Sequence, residues 1–411
     1  MELTEEMEDF TLHWFNNVFN AKGMQVHDFE FTGETGQGRG FMGTLKKVEL
    51  KISKLDSVAT DSALETLHVV LKTLPTDPFR KSYASNDGFA SREISMYLDV
   101  FAKWEQFLDE RKVPSINRFR HPICYYGAEK GQGDKYNFLL ILENLTAPSS
   151  DFVLWSPGFN EPLPWPATAA VIQQIARFHA IGIAYKMEKK FDSYYVEFPK
   201  LSHTLGPMFK TMWEQGFNIT EEAIRSVVDD SDIPIGFFER FNELRGDVCM
   251  NFVLKWFTDP TLATVFGSTI CHHDLHSQNI VLSRNYDQAV LFDYQASCVS
   301  NPMKDLSFFL ILNCESADIP SDRSRALELY HDEFEKMMTV MRVEYKYSME
   351  NIRSDYDRHF AFSLVHIITG APIWINGTKS SVTSKRRFAD VLMYAYNKNI
   401  LHFPDIPSYL T

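Results

Sequence analysis

Cysteine is scarce in this chain of 411 residues. There are five, an odd number, and no two of Cys124, Cys249, Cys271, Cys298 and Cys314 form a C-x-x-C pair. That excludes a disulfide-stapled scaffold and fits a reduced interior in which thiols act as small core groups. Long apolar runs are missing as well. The longest, Ala361–Ile375, is broken by Ser363, His366, Thr369, Gly370 and Pro372. It is too short and too polar to span a bilayer, and it is expected to form a buried helix that stops at Gly370–Pro372. Positive charge is in deficit: 41 Lys and Arg against 54 Asp and Glu leave a formal net charge of −13. Such a balance disfavours a broad nucleic-acid or anionic-membrane footprint, while a local phosphate-binding group stays possible. The acidic start Met1–Phe10 lacks the charged-then-apolar pattern of a secretory leader, so a cytoplasmic protein is expected and the N-x-T triplets at Asn144, Asn218 and Asn376 carry little meaning. No coiled-coil or apolar dimer stripe is visible, which favours a monomer.

What the chain does have is core material: 45% hydrophobic residues and 33 Phe, enough for a folded globular protein and too much for a disordered one. Its texture changes near residue 145. Before that point strand-like runs dominate, at Val26–Thr32, Phe41–Ile52, Leu67–Leu74 and Phe138–Leu142, with a helical pattern over Ser91–Leu108 between the last two. In the third run Leu67, Val69 and Leu71 form one stripe, which puts Lys72 on the opposite face. Ala147–Pro166, with five prolines, reads as a wrapping loop. Beyond it helical spacing takes over at Ala167–Lys186, Arg323–Tyr345 and Asp355–Ile368, with one strand-like segment, Ile280–Tyr294. The expected class is therefore α+β, with a small β-rich N-lobe over residues 1–143 and a large helical C-lobe over 144–411, together one domain.

The densest polar signal is Cys271-His272-His273-Asp274-Leu275-His276-Ser277-Gln278-Asn279, followed by Asp293 at the end of the apolar run Ala289–Phe292. H-x-D-L-x-x-x-N with a later strand ending in Asp is the arrangement of kinase-type phosphoryl transfer. In that chemistry Asp274 accepts or orients a hydroxyl proton, while Asn279 and Asp293 supply hard oxygen ligands to Mg²⁺. His272 is expected to brace the loop, and His273 and His276 to flank a substrate. The same three histidines offer a zinc cluster as an alternative, weakened by the absence of H-E-x-x-H and of a cysteine pair. Upstream, Gly36–Gly43 lies between two strand-like runs, where glycines let backbone N–H groups approach phosphates; Lys72 and Glu93 follow in the order of a phosphate-gripping pair. Singly, these are a hairpin turn, an edge lysine and an ordinary helix-start acid. Their order makes them one set.

Together these markers resemble the ecdysteroid kinase-like, or CHK kinase-like, family, related to choline kinases and aminoglycoside phosphotransferases. The residues are Gly38-x-Gly40-Phe41-Met42-Gly43, Val70–Pro75, Phe89-x-x-x-Glu93-Ile94, Leu142–Leu145, Ala176–Ala180, Cys271–Asn279, Phe292–Gln295 and Asn301-Pro302-x-x-Asp305-Leu306. The resemblance implies a bilobal protein-kinase-like fold with ATP and Mg²⁺ between the lobes. It implies a nucleotide site that includes Gly38, Gly40, Phe41, Gly43, Lys72 and Glu93, with Glu143, Asn144 and Leu145 as the hinge that meets adenine. Asp274 and His272 fall at the catalytic positions, Asn279 and Asp293 at the metal, and Asp305 at a position that braces the catalytic loop. Three residues depart from the family pattern: His273 stands where Gly is common, Asn144 where Asp is frequent, and Gly43 where Ser is usual. Tyr294-Gln295 after Asp293, with no A-P-E beyond, argues against a protein kinase. The family name suggests a hydroxylated steroid as acceptor. Trp155, Phe159, Trp165, Trp213, Phe217 and Trp374 are compatible with an apolar one, but core packing explains them equally well. A choline- or aminoglycoside-type acceptor and a non-catalytic binding module remain open alternatives.

Overall fold

Alternating apolar residues in the first part of the chain build a five-stranded antiparallel sheet. Its strands are β1 (Met24–Thr35), β2 (Thr44–Lys54), β3 (Glu65–Thr73), β4 (Cys124–Lys130) and β5 (Asn137–Glu143), in the order β1-β2-β3-β5-β4. In this computed structural model the described residues are 10–35, 43–55, 64–75, 81, 84, 88–131, 135–202, 208–258, 267–314, 319–375 and 381–401. They fall into two compact units, residues 1–102 with 121–153 and residues 103–120 with 154–411.

In the first unit, helix α1 (Leu12–Asn20) starts at Thr11, whose hydroxyl accepts the Trp14 N–H. It buries Phe15, Val18 and Phe19 against Val26, Val48, Leu50, Val69, Leu71, Leu139 and Ile141 on one sheet face. Each such side chain contributes about 1.5–3 kcal/mol of transfer energy. The inner strand β5 shows a continuous apolar run instead of alternation. Phe138 through Leu142 are all buried, as expected of a strand covered on both faces. Strand β4 carries no sequence signal of that strength. It lies at one of the two edges of the sheet and is only half-buried along its length, so its pattern is diluted. The expected helix over Ser91–Leu108 is present but not uniform: α2 (Phe89–Ser95) runs into a π turn at Met96–Val100 and then α3 (Phe101–Glu110).

The second unit is helical: α4 (Trp165–Lys189), α5 (Met208–Val227), α6 (Phe237–Leu244) and α7 (Asp247–Thr258) come first. Four short strands follow, β6 (Thr269–Cys271), β7 (Ile280–Ser283), β8 (Ala289–Leu291) and β9 (Cys298–Ser300). The last helices are α8 (Pro302–Asn313), α9 (Ile319–Met341), α10 (Met349–Trp374) and α11 (Val382–Asn397). The strand-like segment Ile280–Tyr294 resolves into the β7–β8 hairpin, with Ile280 opposite Leu291. Strand β9 pairs antiparallel with β6, with Cys298 directly opposite Cys271.

The helix stop expected at Gly370–Pro372 does not occur; α10 continues through Pro372 to Trp374. Proline has no N–H to give the Ile368 carbonyl, four residues back. Gly216 of α5 lies against that carbonyl so closely that a Cβ on it would overlap the oxygen. The α5 backbone thus packs directly against the carbonyl that Pro372 leaves without its helical N–H. Gly370 has a different duty: a Cβ there would run into the Trp374 ring, so the glycine makes room for the indole one turn later.

Candidate active site

The first unit holds the lysine–glutamate pair. Lys72 projects from β3 on the face away from Val69 and Leu71, and its Nζ lies 2.7 Å from Glu93 Oε2 on α2. Both side chains are buried, at 8% and 1% exposure. A buried pair gains little over an apolar one, but stripping one partner leaves an uncompensated charge at a cost of about 3–5 kcal/mol. Gly43 packs on the lysine stem: a Cβ at this position would fall 3.2 Å from Lys72 Cε and 3.1 Å from the Thr73 carbonyl. A serine in this place would crowd the lysine, which gives the Gly43 departure a local reason. Gly38, Gly40 and Phe41 lie outside the described residues.

The residues expected to form the hinge are ordered by their own hydrogen bonds. Glu143 closes β5, donating its N–H to Ile123 O (2.8 Å) and accepting the Ile123 N–H on its carboxylate (3.2 Å). Asn144 donates its N–H to His68 O at 3.0 Å, and its Oδ1 accepts from the Thr146 N–H and hydroxyl. An aspartate would accept the same two bonds, so the Asn144 departure preserves the turn. Leu145 is buried, and its carbonyl accepts the Ser150 hydroxyl at 2.7 Å.

The second unit holds the loop between β6 and β7. Asp274 is 22% exposed, with His276 Nε2 at 3.4 Å from one carboxylate oxygen and Asn279 Nδ2 donating to the other at 3.0 Å. Burial alone would raise this carboxyl. The histidines outweigh it, His276 first and then His272 and His366, and hold it below the ordinary aspartate range. With its amide nitrogen bonded to Asp274, Asn279 presents its oxygen as the end suited to a hard cation. Asp293 follows β8 with φ 67° and ψ 64°, and Gln295 Nε2 donates to its carboxylate at 3.4 Å. A non-glycine residue in this left-handed region costs about 1–2 kcal/mol, strain of a kind that gathers at functional sites.

His272 is fully buried and used at both ring nitrogens: Nε2 meets Phe292 O at 3.0 Å and Nδ1 accepts the Asp274 N–H at 3.3 Å. The carbonyl fixes the proton on Nε2, and burial keeps the ring neutral by lowering its pKa against the pull of Asp305 and Asp274. It ties Asp274 to the segment that carries Asp293. His276 turns to Asp274 and His273 to Lys304 and Cys298, so the three histidines weighed as a zinc cluster are bonded in three different directions.

Asp305, in the first turn of α8, clamps the loop from behind. One oxygen accepts the His272 N–H at 2.6 Å and the other the His273 N–H at 2.9 Å. Burial would raise its carboxyl, but His179 and then His272 hold it down. His179 on α4 bonds Asp305 through Nε2 and Tyr330 through Nδ1. His179, Cys271 and Asp305 lie close enough together to suggest a metal, yet the ring nitrogens and both carboxylate oxygens are already engaged within the protein. His179 is visible in the sequence only as part of a motif, and Lys304 and Cys298 not at all, because α8 and β9 bring them to His273 from distant positions.

Of the six aromatic residues considered for the acceptor, two stand near His276. Phe159 and Trp374 lie 5.3 and 6.3 Å, centroid to centroid, from the His276 ring. Trp213 and Phe217 pack with each other, and Trp165 stacks under Arg325. Trp155 meets Tyr286.

The ecdysteroid kinase-like family profile matches residues 37–343, about three quarters of the chain. The chain belongs to this family. It is a family of kinase-like small-molecule phosphotransferases. Among curated proteins none matches the sequence. Solved structures with similarity include a putative aminoglycoside phosphotransferase from Ralstonia eutropha, at 13% identity and TM-score 0.43, covering 95% of this chain and 99% of that one. An ethanolamine kinase from Plasmodium vivax aligns at 11% identity and TM-score 0.39, covering 99% and 94%. The choline kinase LicA from Streptococcus pneumoniae aligns at 10% identity and TM-score 0.35, covering 93% and 98%. Among the described residues no helix is long and apolar enough to cross a membrane.

Proposed function

We propose that this member of the ecdysteroid kinase-like family is an active ATP- and Mg²⁺-dependent phosphotransferase that acts on a hydroxyl of a small molecule, as a cytoplasmic monomer. The observation that carries the proposal is the state of Asp274: a partly exposed carboxylate, oriented by Asn279 and His276 and kept ionised well below neutral pH. Such a group accepts a proton at the moment a hydroxyl becomes a nucleophile. His272 is the positioning residue that ties it to Phe292, next to Asp293.

The donor set fits the cofactor. Asn279 and Asp293 offer only hard oxygen atoms, which suit Mg²⁺ and would hold it. Bound Mg²⁺ supplies neutralisation of the charge on the nucleotide phosphates. Lys72, kept in place by Glu93, would bind phosphate oxygens, with Gly38, Gly40, Phe41 and Gly43 covering them. Glu143, Asn144 and Leu145 would meet adenine through backbone groups. The residue boundaries of the two lobes are proposed at 143/144, with both needed for one catalytic domain.

For the acceptor, Phe159 and Trp374 beside His276 favour an apolar ring system such as a hydroxylated steroid over a polycationic sugar. The test is a panel of hydroxylated steroids, choline-like amines and aminoglycosides, scored for ATP-dependent gain of a phosphate by mass spectrometry. Phosphorylation of steroids with the amines inert is the expected result. Turnover of an amine alone would overturn the steroid assignment, and nucleotide binding without turnover of any acceptor would favour a binding module.

A further inference from the structure

His273 occupies a backbone position that suits glycine, with φ 66°, immediately before Asp274. Its ring is buried and held at both ends. Lys304 Nζ lies 2.6 Å from Nδ1, and Cys298 Sγ lies 3.0 Å from Nε2. An ammonium group only donates, so Nδ1 accepts and the ring proton sits on Nε2, directed at the sulfur. Lys304 itself is 1% exposed, over the face of Phe362 with Nζ 4.3 Å from the ring centroid. Apolar packing alone would favour a methionine at such a position, because burying a cation is costly; burial lowers this lysine to about 8. The neighbouring residue Asp305 grips the backbone N–H groups of His272 and His273. Consecutive residues of one helical turn thus hold the loop by main chain and by side chain.

We propose that Lys304 is a positioning residue for the catalytic loop: it holds the His273 ring, and through it the left-handed backbone that presents Asp274. Where glycine occupies the preceding position, no such grip is needed. Histidine and lysine form a matched pair in this chain. The functional half of the proposal rests on Asp274 being the base; the loop-holding half does not.

Three variants of the full chain test it: Lys304→Met, His273→Gly and the double. Two readouts are taken, amide hydrogen exchange over residues 272–279 and phosphoryl transfer with nucleotide Kd measured separately. Lys304→Met is expected to speed loop exchange by about tenfold and to lower kcat by about ten- to a hundredfold, with nucleotide Kd nearly unchanged. The double variant is expected to recover most of both losses, because glycine adopts the left-handed backbone unaided. A lysine that only filled the core would show no such rescue, so a double variant no better than Lys304→Met overturns the proposal, as does Lys304→Met with unaltered loop exchange. If Lys304→Met does not fold, nitrogen NMR of the histidine-labelled wild-type protein decides: an unprotonated Nδ1 on His273 supports the donor role, and a protonated one refutes it. Should Asp274→Asn leave transfer intact while loop exchange still answers to Lys304, the assignment of the base fails and the grip stands.

Discussion

Lys72 stands on a regular strand and Glu93 on a regular helical turn, neither with positive φ, whereas Asp274 and Asp293 stand on irregular segments that include two non-glycine residues in the left-handed region. The first unit fixes its charged pair by secondary structure and mutual attraction. The second fixes its acids by hydrogen bonds from elsewhere in the chain: His276 and Asn279 on Asp274, and Asp305 on the loop backbone. Damage to the first should therefore register in stability and in nucleotide binding, and damage to the second mainly as rate.

Asp274→Asn gives the largest expected effect and separates the two most cleanly. The amide keeps the shape of the side chain but cannot accept a proton at neutral pH, so kcat should fall by about 10²–10⁴-fold with nucleotide Kd little changed. Near-normal phosphorylation would reduce the H-x-D motif to a structural turn. Lys72→Met comes next. It strands Glu93 in a buried site, and urea unfolding should report a loss of about 3–5 kcal/mol. A double variant that also replaces Glu93 by leucine should regain much of it; if it does not, the pair is not the source of the cost.

A smaller effect concerns acid. His366, near Lys304 and Asp274, is pushed down to about 3, first by burial and then by the lysine charge. A base whose folded pKa lies below its unfolded value stabilises the protein while it stays neutral, and that contribution is lost as pH falls from about 6.5 toward 3. His366→Asn should flatten the stability curve between pH 6 and 4 by at most about 1.4 kcal/mol per pH unit. An unchanged slope in urea midpoints would remove His366 from the account. The smallest expected change is Gly43→Ser, which presses on a flexible stem and should cost less than about 1 kcal/mol while weakening nucleotide binding. Tighter nucleotide binding would show that the serine hydroxyl outweighs the crowding.

The same contrast decides what can be read in advance. Strands β1, β2, β3 and β5 have clear apolar patterns, and the alternation in β3 places Lys72 on the correct face without any knowledge of where Glu93 lies. The irregular loop is legible only because its residue types match a reaction. Its supports are not, since Lys304 and Cys298 come from distant positions and belong to no periodic stripe. Gly370 and Pro372 mislead for a related reason. Helix-breaking residues signal a stop only where nothing compensates, and here Gly216 and Trp374 supply the compensation.

The π turn at Met96–Val100 has a consequence for chain length. A π turn is an α-helix that has absorbed one surplus residue without unwinding. Removing a single residue from this stretch would let the helix run straight from α2 into α3, with better hydrogen-bond geometry. Every side chain before the deletion would then turn by about 100° relative to Phe101, which stacks on His121 with ring centroids 4.2 Å apart. Glu93 would swing away from Lys72. The helix is locally imperfect so that its two ends can face different partners, and a homologue shorter by one residue here would have to find its lysine another acid.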